Sequence, residues 1–259
     1  MFPVLFHIGP LTIHTYGLMV ASGMLAGIFL AEYLNKKQGG DPGRIVDLSL
    51  IVILSGLLGA RTLFIIINLS YYQAHPLEVF MVWKGGLVFY GGLIGGLLGL
   101  LAAIRIYRMP LWRTLDIAAP GLTLGHALGR VGCFSAGCGY GRPTDLPWAV
   151  IFTNPRSLAT GVLNIPVHPT QLYSTLALLL LTVFLVWKTS RRRFDGQVAA
   201  LYIIIYCIFR FSVEFLRADP RGGADIMGLF LSTSQIVSLV LLPLGLLFYF
   251  LRSRTVERD

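Results

Sequence analysis

The sequence predicts an all-α polytopic membrane protein with seven transmembrane helices, and three observations carry that reading. Of 259 residues, 55% are hydrophobic and only 13% are charged, where a soluble globular chain has about 25% charged residues. The mean hydropathy, +0.73, is too apolar for a surface that meets water. The apolar residues also gather into long runs, closed by charge or by Pro/Gly clusters. Their lengths suit a helix crossing a hydrocarbon core about 30 Å thick, which takes roughly 20 residues. A soluble enzyme, a disordered chain and a secreted disulfide scaffold do not fit these numbers. Nor do the runs alternate in the manner of the roughly 10-residue strands of a membrane barrel.

The spans fall at about 15–34, 45–69, 86–107, 112–132, 169–188, 197–216 and 226–251. The segment before Tyr16, with Pro3 and Pro10, has neither a basic n-region nor a small-residue cleavage site. It therefore reads as retained chain lying along the outer interface, not as a signal peptide. Runs SGLLGAR (55–61) and GGLIGGLLG (91–99) in the second and third spans place glycines at the close spacing of tight helix–helix packing. The fourth span, holding Asp116, His126 and Arg130, is the least lipid-like and is expected to be enclosed by the others. The connection at about 133–168 is rich in Gly and Pro and has Trp148 at interfacial depth, so it reads as a small outer-face cap. No internal repeat is apparent, and residues 1–259 read as one integral membrane domain.

Basic residues orient the spans. The net charge is +9, a balance that in a soluble protein would suggest nucleic acid. Thirteen of the 21 Lys and Arg lie in connections 1–2, 3–4 and 5–6 and the C-terminal tail; five lie on the opposite side, including Lys84, Arg142, Arg217 and Arg221. The positive-inside rule then puts the N-terminus outside and the C-terminus in the cytoplasm, which requires an odd number of spans. The charge is topological, and no nucleic-acid partner follows from it.

Arg61, Arg130 and Arg210 fall inside spans. An ionised side chain in hydrocarbon costs at least about 2.5–3.5 kcal/mol, so each must face a cavity, a partner or lipid head groups. Arg210 and Glu214 are four apart on one helical face, with Tyr206 one turn earlier. Arg130 and Arg210 point to the same outer leaflet. Two guanidinium forks at that depth suit the phosphate of a phospholipid, and would stabilise it as a leaving group if a nucleophile attacked the adjacent carbon. Spacing alone does not separate such catalysis from simple lipid binding.

The pieces TYGLMVASG, GARTLF, WKGGLVFYGGLIGG, GRVGCFSAGCGYGRPTD, HPTQLY, YCIFRFSVEFLRADPRG and STSQIVS run in order through nearly the whole chain. Together they resemble the bacterial prolipoprotein diacylglyceryl transferase family. The resemblance implies seven spans in the inner membrane and transfer of the diacylglyceryl group of phosphatidylglycerol to the lipobox cysteine of a preprolipoprotein, releasing glycerol phosphate. It implies no metal and no cofactor, because the phosphate ester already supplies the leaving group. Arg130 and Arg210 would handle the head group and the leaving phosphate. Tyr16, Gly141, Tyr206 and Glu214 match further motif positions, with Tyr16 and Tyr206 bonding the lipid or ordering the arginines. Arg61, His168 and Gln171 match as substrate-binding candidates, although a His next to Pro169 serves equally as a loop residue.

Three positions depart from the family pattern. Tyr90 stands where the family commonly has a functional His, Cys133 stands for an Asn, and Cys138 for a Glu. Tyr90 is the candidate at the catalytic His position, yet a phenol of pKa about 10 is a poor base near neutrality without a nearby cation. Cys133 and Cys138 are open to four readings: a disulfide, a reactive thiol pair, a partial metal site or inert side chains. Cys207 reads as a packing residue, and His126 as a neighbour that orients Arg130 or acts as a base. Two alternatives to the leading function stand beside it. One is a divergent paralogue moving a lipid group to another acceptor; the other is a non-enzymatic phospholipid-binding or translocating protein.

Overall fold

A computed structural model describes residues 2–8, 11–81, 85–219, 222–226 and 229–256. Pro10, Trp83, Lys84, Arg221 and Arg258 of the sequence reading lie outside them. Among the described residues eight α-helices dominate: α1 (Thr15–Lys37), α2 (Arg44–Ile67), α3 (Leu69–Ala74), α4 (Phe89–Ile106), α5 (Leu111–Ala136), α6 (Thr170–Thr189), α7 (Gln197–Glu214) and α8 (Thr233–Val256). Among the described residues six of these, all but α3 and α5, are long and apolar enough to cross a membrane. Helix α5 has the length but carries Arg113, Asp116, His126 and Arg130. Three antiparallel two-stranded ribbons accompany the helices: β1 (Val4–Ile8) with β2 (Leu11–His14), β3 (Val150–Ile151) with β4 (Pro166–Val167), and β5 (Gly223–Ile226) with β6 (Leu229–Ser232).

The helices overlap each of the seven expected runs, and the last is displaced most: residues 223–232 form the β5–β6 ribbon and α8 begins only at Thr233. Its start is a capping box. The Gln235 amide donates to Ser232 Oγ at 3.3 Å, and the Ser232 amide donates to Gln235 Oε1 at 3.0 Å. These bonds satisfy amide groups that the first turn leaves unpaired.

Two compact units make up the chain, residues 1–34 with 115–259, and residues 35–114. In the second unit α2 and α4 meet backbone to backbone. A Cβ on Gly59 would lie 2.3 Å from the Gly91 carbonyl oxygen, and one on Gly95 the same distance from that of Ser55. In the first unit α1 and α5 touch likewise at Gly27 and Gly121, where a Cβ on Gly27 would come within 2.5 Å of a carbonyl. Without a hydrophobic drive between helices in lipid, such close approach is how packing is gained.

Asp116 shows how a carboxylate is tolerated inside this first unit. It is fully buried and accepts the amides of Gly196 (2.8 Å) and Ala199 (2.9 Å), so it caps the N-terminus of α7 from another helix, with Arg192 beside it. Charge and helix dipole are matched there. Beyond α5, residues 137–169 fold around their own small core of Tyr140, Phe152, Ala159, Val162 and Val167. On the outside, Leu58, Leu98, Leu180, Val183 and Leu244 are more than half exposed, an apolar surface that suits acyl chains better than water.

Candidate functional site

Helix α5 presents Arg130 near its C-terminal end, one turn after His126. Arg130 Nε donates to His126 Nε2 at 3.3 Å, which leaves the imidazole proton on Nδ1. The His126 ring lies 5.4 Å from that of Tyr206 on α7, and Tyr206 stacks on Tyr202 at 5.7 Å. One turn beyond Tyr206, the buried Arg210 pairs with Glu214 and donates through Nη2 to Ser234 Oγ at 2.7 Å, on the first turn of α8. Among the described residues Arg130 has no carboxylate partner.

A third guanidinium joins them just past α7. Arg217 is buried and forks onto Asp219, with Nε and Nη2 donating at 2.9 and 3.0 Å. Burial pulls its pKa down, Asp219 opposes that, and the neighbouring Arg130 and Arg210 pull it further down. Arg217 therefore feels both neighbouring cations, and an anion bound beside it would relieve that repulsion. Glu214, Arg217, Asp219, Arg142, Ser232 and Gln235 line a cleft of about 190 Å³ at this place. Tyr16 reaches the same end of α5: a Cβ on Gly132 would sit 3.3 Å from its ring, so the glycine leaves room for the tyrosine.

Gly141, His168 and Gln171 hold the loop that frames this cluster. The Gly141 amide donates to the His168 carbonyl (3.1 Å) and the His168 amide to that of Arg142 (3.0 Å). A Cβ on Gly141 would press on His168 at 2.5 Å. His168 Nδ1 lies 3.4 Å from the Tyr173 hydroxyl, which also accepts from Trp148 Nε1 at 2.8 Å. Gln171, buried in the first turn of α6, donates through Nε2 to the Cys138 carbonyl at 3.0 Å. Cys133 and Cys138 are both free and half-buried. The Cys133 side chain and burial push the Cys138 thiol upward, making Cys138 the protonated member of the pair.

Arg61 and Tyr90 belong to the second unit. Arg61 is buried, and its guanidinium donates to four backbone carbonyls: Nε to Val79 (2.9 Å), Nη1 to Gly85 (2.8 Å) and Gly86 (3.2 Å), and Nη2 to Glu78 (2.5 Å). It also lies over the Tyr72 ring at 5.3 Å. Tyr90 is exposed in the first turn of α4, with its ring 5.7 Å from that of Phe89.

Sequence reasoning singles out Tyr16, Arg130, Tyr206, Arg210 and Glu214 as motif positions, and all five lie in the first unit. It passed over Arg217–Asp219 and Ser234. The first signal is an Arg and an Asp two apart at a helix end, but a count of basic residues by side of the membrane uses Arg217 only for its charge. Ser234 lies in STSQ, a capping-box string that also marks the start of α8.

A family model described as prolipoprotein diacylglyceryl transferase matches residues 3–251. The chain is 38% identical over 249 residues to the phosphatidylglycerol–prolipoprotein diacylglyceryl transferase of Clostridium tetani, covering 96% of this chain and 97% of that one. It is 37% identical over 262 residues to the enzyme of the same name from Bordetella avium, with 99% and 97% covered. The Synechococcus elongatus enzyme of that name is 34% identical over 251 residues, with 95% and 85% covered.

Proposed function

The chain belongs to the prolipoprotein diacylglyceryl transferase family, and on that premise we propose how its residues carry the transfer. The protein moves the diacylglyceryl group of phosphatidylglycerol to the cysteine thiol of a preprolipoprotein lipobox and releases glycerol phosphate. It acts as one multi-pass domain in the bacterial inner membrane. Seven spans, α5 among them, put the N-terminus outside and the C-terminus in the cytoplasm, with the loop region 137–169 as the outer cap.

The observation that carries the site assignment is the half-buried Arg130, which has no carboxylate partner among the described residues and stands beside the Arg210–Glu214 pair. A lone guanidinium at such a place favours an anion from outside the chain, and a phosphodiester matches its fork. Arg130 and Arg210 bind that phosphate, while His126 and Ser234 hold the two guanidiniums in place. Tyr16 and Tyr206 border the bound lipid. The acceptor thiolate attacks the glyceryl carbon, the C–O bond to phosphate breaks, and its electron pair leaves on glycerol phosphate. A thiol of pKa about 8.5 is already a few per cent thiolate near neutrality, so a strong protein base is not required. Tyr90, at the family's His position, is then a hydrogen-bonding phenol in place of a base.

The test supplies the purified protein with phosphatidylglycerol vesicles and a synthetic lipobox peptide, and reads the diacylglyceryl thioether by mass. Arg130→Ala and Arg210→Ala are each expected to lower turnover by about a hundredfold or more, the scale for losing one preorganised charge at a developing anion. Unchanged product in both variants would sink the arginine assignment. Glycerol phosphate release without peptide modification would point to a different acceptor.

A further inference from the structure

Helix α5 ends in a six-residue reverse turn that begins at Cys133 and closes at Cys138. The Cys138 amide donates to the Cys133 carbonyl at 3.1 Å, and the Gly137 amide donates to the same oxygen at 2.8 Å. Gly137 sits between them at φ +82°, the left-handed position that favours glycine. The bond from the sixth residue back to the first is the one that closes a Schellman helix terminus, here beside the 5→1 bond of an αL terminus, and such an ending commonly brings the first and sixth side chains together. Here both of those positions are cysteine, and the Cys138 sulfur lies 3.7 Å from the Cys133 carbonyl oxygen. Bridging needs Cα atoms about 4.4–6.8 Å apart, a range in which a direct backbone hydrogen bond holds two residues.

The turn is also clamped from outside. Gln171 holds the Cys138 carbonyl, and Thr170 Oγ1 donates to that of Gly139 at 2.6 Å. A Cβ on Gly139 would lie 2.4 Å from the Arg217 guanidinium, so the backbone there is pressed against that side chain. Both thiols are half-buried and within reach of a small molecule, whereas Cys207 is buried within α7.

We propose that Cys133 and Cys138 form a dithiol–disulfide site that closes by exchange with a small organic disulfide. The Cys133 thiolate attacks one sulfur of that disulfide, its S–S bond breaks, and one thiol leaves. The Cys138 sulfur, giving up its proton, then attacks the Cys133 sulfur of the mixed disulfide and expels the second thiol. The protein loses two hydrogens and two electrons, and the small disulfide gains them as two thiols. The closed ring begins one turn after Arg130 and ends beside Gly139, so it braces the phosphate-binding end of α5. That the pair meets an oxidising compartment rests on the topology proposed above; the ring chemistry itself does not.

The experiment uses the reduced, purified full-length protein in detergent, treated with oxidised glutathione, alkylated and read by peptide mass. The expected result is a peptide spanning both cysteines that has lost two hydrogens, takes no alkylating group and recovers both thiols on reduction. Two facing thiols have an effective concentration of about a millimolar or more. At roughly 0.1 mM glutathione disulfide, wild type should therefore carry at least about tenfold less glutathione adduct than Cys133→Ser or Cys138→Ser. A second measurement needs no variant: a trivalent arsenical, which bridges paired thiols, should shield both cysteines from alkylation together. Independent adducts on the two cysteines of wild type, or no ring at all, would overturn the proposal. Neither readout uses lipid transfer, so failure here is distinct from failure of the transferase reading.

Discussion

Replacing Arg61 with Lys separates two roles that its motif position leaves open, lipid binding and loop anchoring. The guanidinium reaches carbonyls at both ends of the connection between α3 and α4, Glu78 and Val79 on one side and Gly85 and Gly86 on the other. A lysine keeps the charge but offers a single nitrogen, which cannot reach both ends. At about 1.5 kcal/mol for each bond from a charged donor, the low end of its range, the four are worth roughly 6 kcal/mol. Losing half of that would raise the local opening equilibrium by about two orders of magnitude. Val88, whose amide donates to the Ala60 carbonyl at 3.1 Å, reports the far end of the connection. Hydrogen exchange of the amides in 76–81 and 85–88 should therefore speed up strongly in Arg61→Lys and further in Arg61→Met, while exchange in α6 and α7 stays put. Unchanged loop exchange in Arg61→Lys, with a KM for phosphatidylglycerol raised tenfold in Arg61→Met, would refute the anchoring argument and return Arg61 to the lipid.

Asp116→Ala removes the acceptor of two amides at the start of α7 and should cost about 2–4 kcal/mol, seen as a lower thermal midpoint in detergent; an unchanged midpoint would mean that water replaces the carboxylate. Gly59→Val drives side-chain atoms into the Gly91 carbonyl and should destabilise by about 1–3 kcal/mol or more. Gly17→Ala, with open space around it, should leave the midpoint within about 0.5 kcal/mol, and equal effects of the two would discredit the packing account. Ser234→Ala deletes one bond to Arg210 and should lower turnover about fivefold, the equivalent of roughly 1 kcal/mol. A loss as large as that of Arg210→Ala would instead give Ser234 a direct part in the chemistry.

What was legible in advance depended on whether a signal was local. Apolar length located the helices, and glycine spacing signalled tight helix packing without naming the partner, which the structure gives as α2 against α4. Hydropathy could not see that residues 223–232 form a ribbon, since apolar strands and apolar helix read alike over so short a run. The capping-box string at Ser232–Gln235 carried the correct start. Counting arginines by side of the membrane discarded what each one touches, which hid Arg217 and its carboxylate. The five-residue spacing of Cys133 and Cys138 acquires meaning only once the helix is known to end at Ala136, because inside a helix residues five apart point in different directions.

Identical charges are put to different uses in this chain, and their acceptors tell those uses apart. Arg61 spends its donors on carbonyls of its own loop, and Arg192 lies beside Asp116 and Asp195 at the start of α7. Arg130, Arg210, Arg217 and Arg142 share a neighbourhood with two carboxylates, Glu214 and Asp219, so cations outnumber carboxylates there. In the transfer proposed above, that excess meets the negative phosphodiester. As the thiolate attacks, its negative charge passes from sulfur to the departing phosphate, which ends with two. Total charge is conserved, but its centre moves toward the guanidiniums, so their stabilisation grows along the reaction. Interactions that strengthen toward the transition state raise turnover, while uniform binding does not. In the proposed site Arg130, which has no carboxylate partner among the described residues, is the guanidinium most open to that shifting charge.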